Sequence, residues 1–199
     1  MRFKSARILN LSKCFAVSVI FLIGACSSED PKLTYKTEEI TMPIATISTS
    51  LGNIELELDA QSAPITTKNF IDLANAGYYE NALFHRVIKG FMIQGGGLDK
   101  DMNNKPSSSS SITNEANNGL KNDRGTVAMA RTNDPHSATS QFFINHKDNE
   151  FLNFTSETPQ GWGYAVFGSV IKGMDIVDQI AEVNTCLLYT SPSPRDQLG

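Results

Sequence analysis

The 199-residue sequence predicts a mostly β fold, a closed barrel capped by two α-helices. Three observations carry this: many short runs of strand character, glycine-rich turns between them, and only two isolated segments with helical periodicity. Ile44–Ser50 and Asn53–Asp59 alternate apolar with polar residues around Leu51-Gly52, the period-2 pattern of a hairpin. Ile54, Leu56 and Leu58 fall on one side of it, Glu55 and Glu57 on the other. Ala63-Pro64 opens a helix, with proline suited to the first turn. Phe70, Leu73 and Ala74 recur at i, i+3 and i+4, and Gly77 ends the pattern. Further strand-like runs lie at Leu83–Val87, Phe91–Gln94, Thr126–Ala130, Gln141–Ile144 and Tyr164–Val170. The second helix is predicted over Met174–Val183, where Met174, Val177 and Ala181 share a face. There is no internal repeat, and the serine run Ser107–Ser111 reads as loop.

Composition excludes several classes. With 40% hydrophobic and 19% charged residues the chain is neither disordered nor fibrous. A formal charge of −4 disfavours nucleic acid as a partner. Cys14, Cys26 and Cys186 lie far apart without a CxxC or a Cys/His cluster, so neither a zinc site nor a disulfide framework is expected.

Both ends read differently from the body. Arg2, Lys4, Arg7 and Lys13 make a basic start, and the ten-residue apolar run Cys14–Ile23 is too short for the ~20 residues of a bilayer-spanning helix. Ile23-Gly24-Ala25-Cys26 resembles a bacterial lipoprotein signal box, which makes residues 1–25 a signal peptide and Cys26 the lipidated N-terminus. An ordinary secretory signal or a short anchor is the competing reading. Ser27 in place of Asp resembles lipoproteins sent to the outer membrane, so the expected place is the cell envelope, on the periplasmic face of the outer membrane in a two-membrane bacterium. Removing the leader's four basic residues takes the formal charge from −4 to −8, which does not fit a basic face lying on anionic lipid. Residues 26–43 form the lipidated cysteine and a polar tether, and the globular domain is expected over 44–185. From Cys186 the sequence CLLYTSPSPRDQLG breaks the helical pattern and resembles a translated sequencing adapter, so 186–199 is read as foreign, with a genuine flexible tail as the competing reading.

Four blocks decide the function. They are Phe84-His85-Arg86-Val87-Ile88-Lys89-Gly90-Phe91-Met92-Ile93-Gln94-Gly95-Gly96-Gly97, Asn114-Glu115, Gly125–Arg131 and Ser140-Gln141-Phe142-Phe143-Ile144-Asn145. In this order and spacing they resemble the cyclophilins, most closely the small bacterial members, from about Ala45 to Asn184. The resemblance implies a peptidyl-prolyl cis/trans isomerase on an eight-stranded antiparallel barrel with two helices. The family's last strand is missing after Thr185, which would leave an open sheet edge.

The chemistry agrees with the resemblance. Rotating an X–Pro bond means breaking amide conjugation, a barrier of ~18–20 kcal/mol. It needs no cofactor, metal or nucleotide. It needs an apolar slot for the proline ring, a donor to the pyramidalising nitrogen, and hydrogen bonds that hold the neighbouring peptide more tightly in the twisted state. Arg86 is the expected donor, since a forked guanidinium serves both the nitrogen and the adjacent carbonyl. By carry-over from the family, Phe91, Met92, Phe143 and Leu152 line the slot, and Gln94 and Gln141 bond the substrate and Arg86. Ala130 and Arg131 match a segment that binds substrate through its backbone. Phe142 and Ile144 alternate to the other face as core, His85 has a structural role as its competing reading, and His136 and His146 are given no catalytic part.

Two positions depart from the eukaryotic pattern. Phe151 stands where many eukaryotic members carry Trp, and Tyr164 where the family commonly has a site histidine; Trp162 is neither. Both changes are typical of the bacterial branch and keep an aromatic wall, so activity is expected without tight cyclosporin binding. The expected partners are polypeptide segments containing X–Pro, met by a monomer. A non-catalytic proline-loop binding module or holdase is the alternative, against which Arg86, Phe91, Met92, Gln94 and Phe143 stand.

Overall fold

The computed structural model describes residues 3–9, 42–106 and 110–183. Cys26, most of the leader, the tether and the 186–199 tail lie outside the described residues. Eight strands and two α-helices follow in the order β1 (Phe3–Leu9), β2 (Ile44–Thr49), β3 (Asn53–Leu58), α1 (Pro64–Asn75), β4 (Ala82–Ile88), β5 (Met92–Asp99), β6 (Thr126–Met129), β7 (Phe142–Asn145), β8 (Val166–Lys172) and α2 (Met174–Ala181). The strands form one curled antiparallel sheet in the order β1-β2-β3-β8-β6-β7-β5-β4.

The β2–β3 hairpin turns where Thr49 can close it. The Thr49 N–H and its Oγ1–H both donate to the Gly52 carbonyl at 2.8 Å, and the same Oγ1 accepts from the N–H groups of Leu51 and Gly52. Gly52 sits at φ +152°, and a Cβ there would come within 2.8 Å of Ile176 on α2. The glycine therefore both makes the turn and lets the second helix approach. Ile54, Leu56 and Leu58 are fully buried, as their alternation predicts.

Phe70 of α1 anchors the core. Its ring lies 5.1 Å from Tyr79, 5.3 Å from Phe142 edge-on, and 5.3 Å from Phe167. The buried Tyr79 hydroxyl donates to the Ser140 carbonyl at 2.8 Å, so its polar tip is satisfied. Val177, Ile180 and Ala181 of α2 bury into the same cluster.

The outcome differs from expectation in three places. The closed eight-stranded barrel is not what the ladders describe: among the described residues they run from β1 to β4, and none joins β4 back to β1. The first of the eight strands is Phe3–Leu9, inside the expected leader, paired with β2 in the register Leu9↔Ile44 to Phe3↔Thr49. An edge strand leaves a row of backbone donors and acceptors unpaired, and β1 occupies that row on β2. Finally, β5 continues through Gly95–Gly97 to Asp99 although glycine weakens strands. A Cβ on Gly97 would lie 2.5 Å from the Gln141 side chain, so the bare backbone there is what lets Gln141 lie across the strand.

Candidate active site

Strand alternation gives this sheet two apolar faces. Ile93, Val127, Phe142, Ile144 and Phe167 point into the main core. Their neighbours Met92, Ala128, Phe143 and Val166 point the other way and form a second cluster with Leu152, flanked by the partly buried Phe91, Ala130 and Tyr164. Register aligns the second face. Arg86 lies opposite Gln94, Gln94 opposite Phe143, Phe143 opposite Ala128, and Ala128 opposite Val166. A single row thus crosses five strands, running from a guanidinium through an amide to an apolar floor.

The slot's walls come from outside the sheet. Leu152 arrives on a short 3-10 turn, Glu150–Leu152, and its carbonyl accepts the Tyr164 N–H at 2.9 Å. The Tyr164 ring meets Phe143 edge-on at 5.6 Å. At the other end the Phe91 ring lies 6.0 Å from the Arg86 guanidinium carbon and stacks on Phe151 at 5.6 Å. Phe151 is 70% exposed, so the aromatic wall it offers is an open one at the rim. Met92, Phe143 and Leu152 are all buried, and Arg86, Phe91 and Gln94 half-buried, which suits a floor with a reachable polar edge.

Gln94 Nε2 donates to Gln141 Oε1 at 2.8 Å, and the Gln141 carbonyl accepts the Ala130 N–H at 2.9 Å. The two glutamines and the Ala130 backbone therefore form one chain along the polar edge. His85 adjoins it: burial pushes its pKa below the ordinary 6.5 against the opposing pull of the Leu83 backbone and the Gln141 side chain, with Arg86 adding to the depression. Burial thus disfavours the charged imidazole next to Arg86.

Arg131 has a side-chain role that the backbone expectation missed. Its Nε donates to the Gly163 carbonyl at 2.8 Å and its Nη1 to the Thr132 carbonyl at 2.8 Å, while the guanidinium carbon sits 4.8 Å from the Tyr164 ring centroid. Asn114 Nδ2 donates to the same Gly163 carbonyl at 3.3 Å. Together they fix the loop that delivers Tyr164. Trp162 packs between His136 (4.9 Å) and Phe154 (5.4 Å) behind this loop. Ala128 and Val166 were also missed as floor residues. Their alternation with Val127, Met129 and Phe167 was the signal that could have found them. Among the described residues no group of three or more His, Cys, Asp or Glu could hold a metal ion.

The fold and this row set a guanidinium and an amide beside a partly open apolar surface on the outer face of the sheet. Residues 44–196 match the family described as cyclophilin type peptidyl-prolyl cis-trans isomerase/CLD. The chain is 59% identical over 144 residues to peptidyl-prolyl cis-trans isomerase cyp18 of Streptomyces antibioticus, covering 72% of this chain and 86% of that one. It is 56% identical over 142 residues to peptidyl-prolyl cis-trans isomerase B of Escherichia coli, covering 71% and 86%. Among solved structures it is similar to a cyclophilin type peptidyl-prolyl cis-trans isomerase of Cryptosporidium parvum crystallised in the presence of the dipeptide Ala-Pro. That match has a TM-score of 0.59 and 33% identity, covering 69% of this chain and 84% of that one. The chain belongs to the cyclophilin family, and it is a peptidyl-prolyl cis-trans isomerase.

Proposed function

We propose that the outer face of the sheet is where the X–Pro bond turns, and that the substrates are flexible polypeptide segments carrying that bond. In this reading Phe91, Met92, Phe143 and Leu152 grip the proline ring, with Phe151 and Tyr164 as aromatic walls. Arg86 donates to the proline nitrogen as it pyramidalises. Gln94, Gln141 and the backbone of Ala130 and Arg131 hold the neighbouring peptide. Loss of amide conjugation puts a lone pair on that nitrogen, so a donor there binds the twisted state better than either planar one. The observation that carries the reading is the cross-strand row from Arg86 through Gln94 to Phe143.

The related Cryptosporidium enzyme, crystallised in the presence of Ala-Pro, supports the substrate class. NMR exchange on an X–Pro peptide tests the site: the full chain is expected to accelerate exchange, and Arg86→Ala to lower kcat/KM by two or more orders of magnitude, ~3 kcal/mol or more. Near-wild-type turnover in that variant would remove Arg86 as the donor.

The same reading places the domain, as a monomer, on a lipid anchor at Cys26 in the bacterial envelope, on the periplasmic face of the outer membrane where there is one. The basic, apolar and small-residue blocks that precede Cys26 support it. Among the described residues no helix is long and apolar enough to cross a membrane. Cleavage before Cys26 would remove β1 and bare the β2 edge, and residues 186–199 are taken as foreign to the domain.

A further inference from the structure

Phe91 ends an exposed turn, and its half-buried ring lies at the edge of the second apolar cluster, so where the ring sits depends on how the turn's backbone is held. Gly90 precedes it at φ +72°, and the Phe91 N–H closes the turn onto the Ile88 carbonyl at 3.1 Å. The ring's partner Phe151 is itself largely exposed, and Arg86 is 6.0 Å away. What fixes the backbone is His146, the residue that directly follows β7. His146 Nδ1 accepts the Gly90 N–H at 2.9 Å, and the His146 N–H donates to the Phe91 carbonyl at 2.9 Å. The peptide groups on either side of the Gly90-Phe91 bond are thereby both bound to one residue. The buried Asn149 adds a second donor, Nδ2, to the Phe91 carbonyl at 3.0 Å.

The imidazole is itself held in one state. Because Nδ1 accepts from a backbone N–H, the ring proton belongs on Nε2, which lies 3.0 Å from Asp178 Oδ1 on α2. Arg124 Nη2 lies 2.8 and 2.9 Å from the two Asp178 oxygens, and Arg124 Nη1 donates to the His146 carbonyl at 2.6 Å. The side chain of His146 is only 13% exposed. A carboxylate that orients a histidine, whose other nitrogen then fixes a functional segment, is a positioning arrangement.

We infer that His146 is a positioning residue for proline binding: it clamps Gly90-Phe91 so that the Phe91 ring closes one end of the slot, while Asp178 and Arg124 hold its tautomer. The inference rests on the outer-face slot proposed above. Gripping the ring helps planar and twisted substrate alike, so losing the clamp raises KM and leaves kcat.

The test measures kcat and KM on an X–Pro peptide for the full chain and three variants. H146L keeps bulk but has no acceptor; H146N can place Oδ1 where Nδ1 accepts. H146L is expected to raise KM roughly fivefold, the size of one neutral hydrogen bond, with kcat within about twofold; H146N is expected to restore KM to within about twofold of wild type. A wild-type KM in H146L overturns the inference. So does a fall in kcat at unchanged KM, the mark of a smaller folded fraction, or an H146N as impaired as H146L. R86A is measured alongside. If it keeps wild-type kcat/KM, the slot reading falls and takes this inference with it. If R86A is crippled while H146L binds normally, only the role of His146 falls.

Discussion

Arg86 and His85 are adjacent on β4, yet they differ in what the fold makes of them. Arg86 is opposite Gln94 on the slot face, while His85 lies beside Gln141 with burial holding its pKa below 6.5. The folded value is below the unfolded one, so as pH falls the unfolded chain takes up this proton first. His85 therefore contributes stability that is present in full above about 6.5 and lost as pH falls through its folded value. Urea midpoints taken between about pH 7.5 and about pH 5.5 should drop for the wild type, and drop less for His85→Gln; equal slopes would contradict the assignment. Asp99 titrates in a lower window, its carboxylate held down by the Asn103 backbone N–H above all, so it does not confuse this comparison.

At the scale of elements, α1 shows how a helix starts when its own residues cannot cap it. Ala63 at the N-cap has no side-chain acceptor, and Pro64 has no N–H to satisfy. The orphan donors are met from 49 and 50 residues away: Glu115 Oε1 accepts the Ile65 N–H at 3.1 Å, and Oε2 accepts the Thr66 N–H at 2.8 Å and its hydroxyl at 2.7 Å. A carboxylate also suits the positive end of the helix. Glu115→Ala should lower stability by about 1–2 kcal/mol, seen as a lower denaturant midpoint at unchanged slope, with Glu115→Gln losing less. An unchanged midpoint would show that the cap contributes nothing.

That cap also marks what was legible. The β2–β3 hairpin and both helices were readable because burial imposes period 2 or 3.6 on local sequence, and Ile54, Leu56 and Leu58 obey it without exception. Met92 and Phe143, named only through the family resemblance, lie on the face opposite Phe142 and Ile144, which take the core side and were readable as core by alternation. The partners of Asn114, Glu115 and His146 were not, since each contact joins segments far apart in sequence and leaves no local pattern. Nor was β1, whose basic and apolar residues read as a leader rather than as the partner of an edge.

At the scale of the whole molecule, the sheet separates two tasks. Its inner face packs on the aromatic core of Phe70, Tyr79, Phe142 and Phe167, and its outer face carries the second apolar cluster, proposed above as the slot. One strand, β7, serves both through successive residues, so the outer-face side chains stand on a strand that the core packs from the other side. Attachment to a membrane, proposed above to rest on Cys26, is a separate property. Cys26→Ser should move the protein from the membrane fraction to the soluble fraction after cell lysis without changing turnover, and retention in the membrane would contradict the lipid anchor.

The central claim is that the outer face does chemistry on the X–Pro bond and does more than hold it. It is tested most directly by NMR exchange on an X–Pro peptide with the full chain and with Arg86→Ala, both confirmed folded by their amide spectra. The account predicts accelerated exchange with the wild type, and for the variant continued peptide binding with exchange slowed by two or more orders of magnitude. Binding without acceleration by the folded wild type would contradict it and leave a proline-binding module in its place.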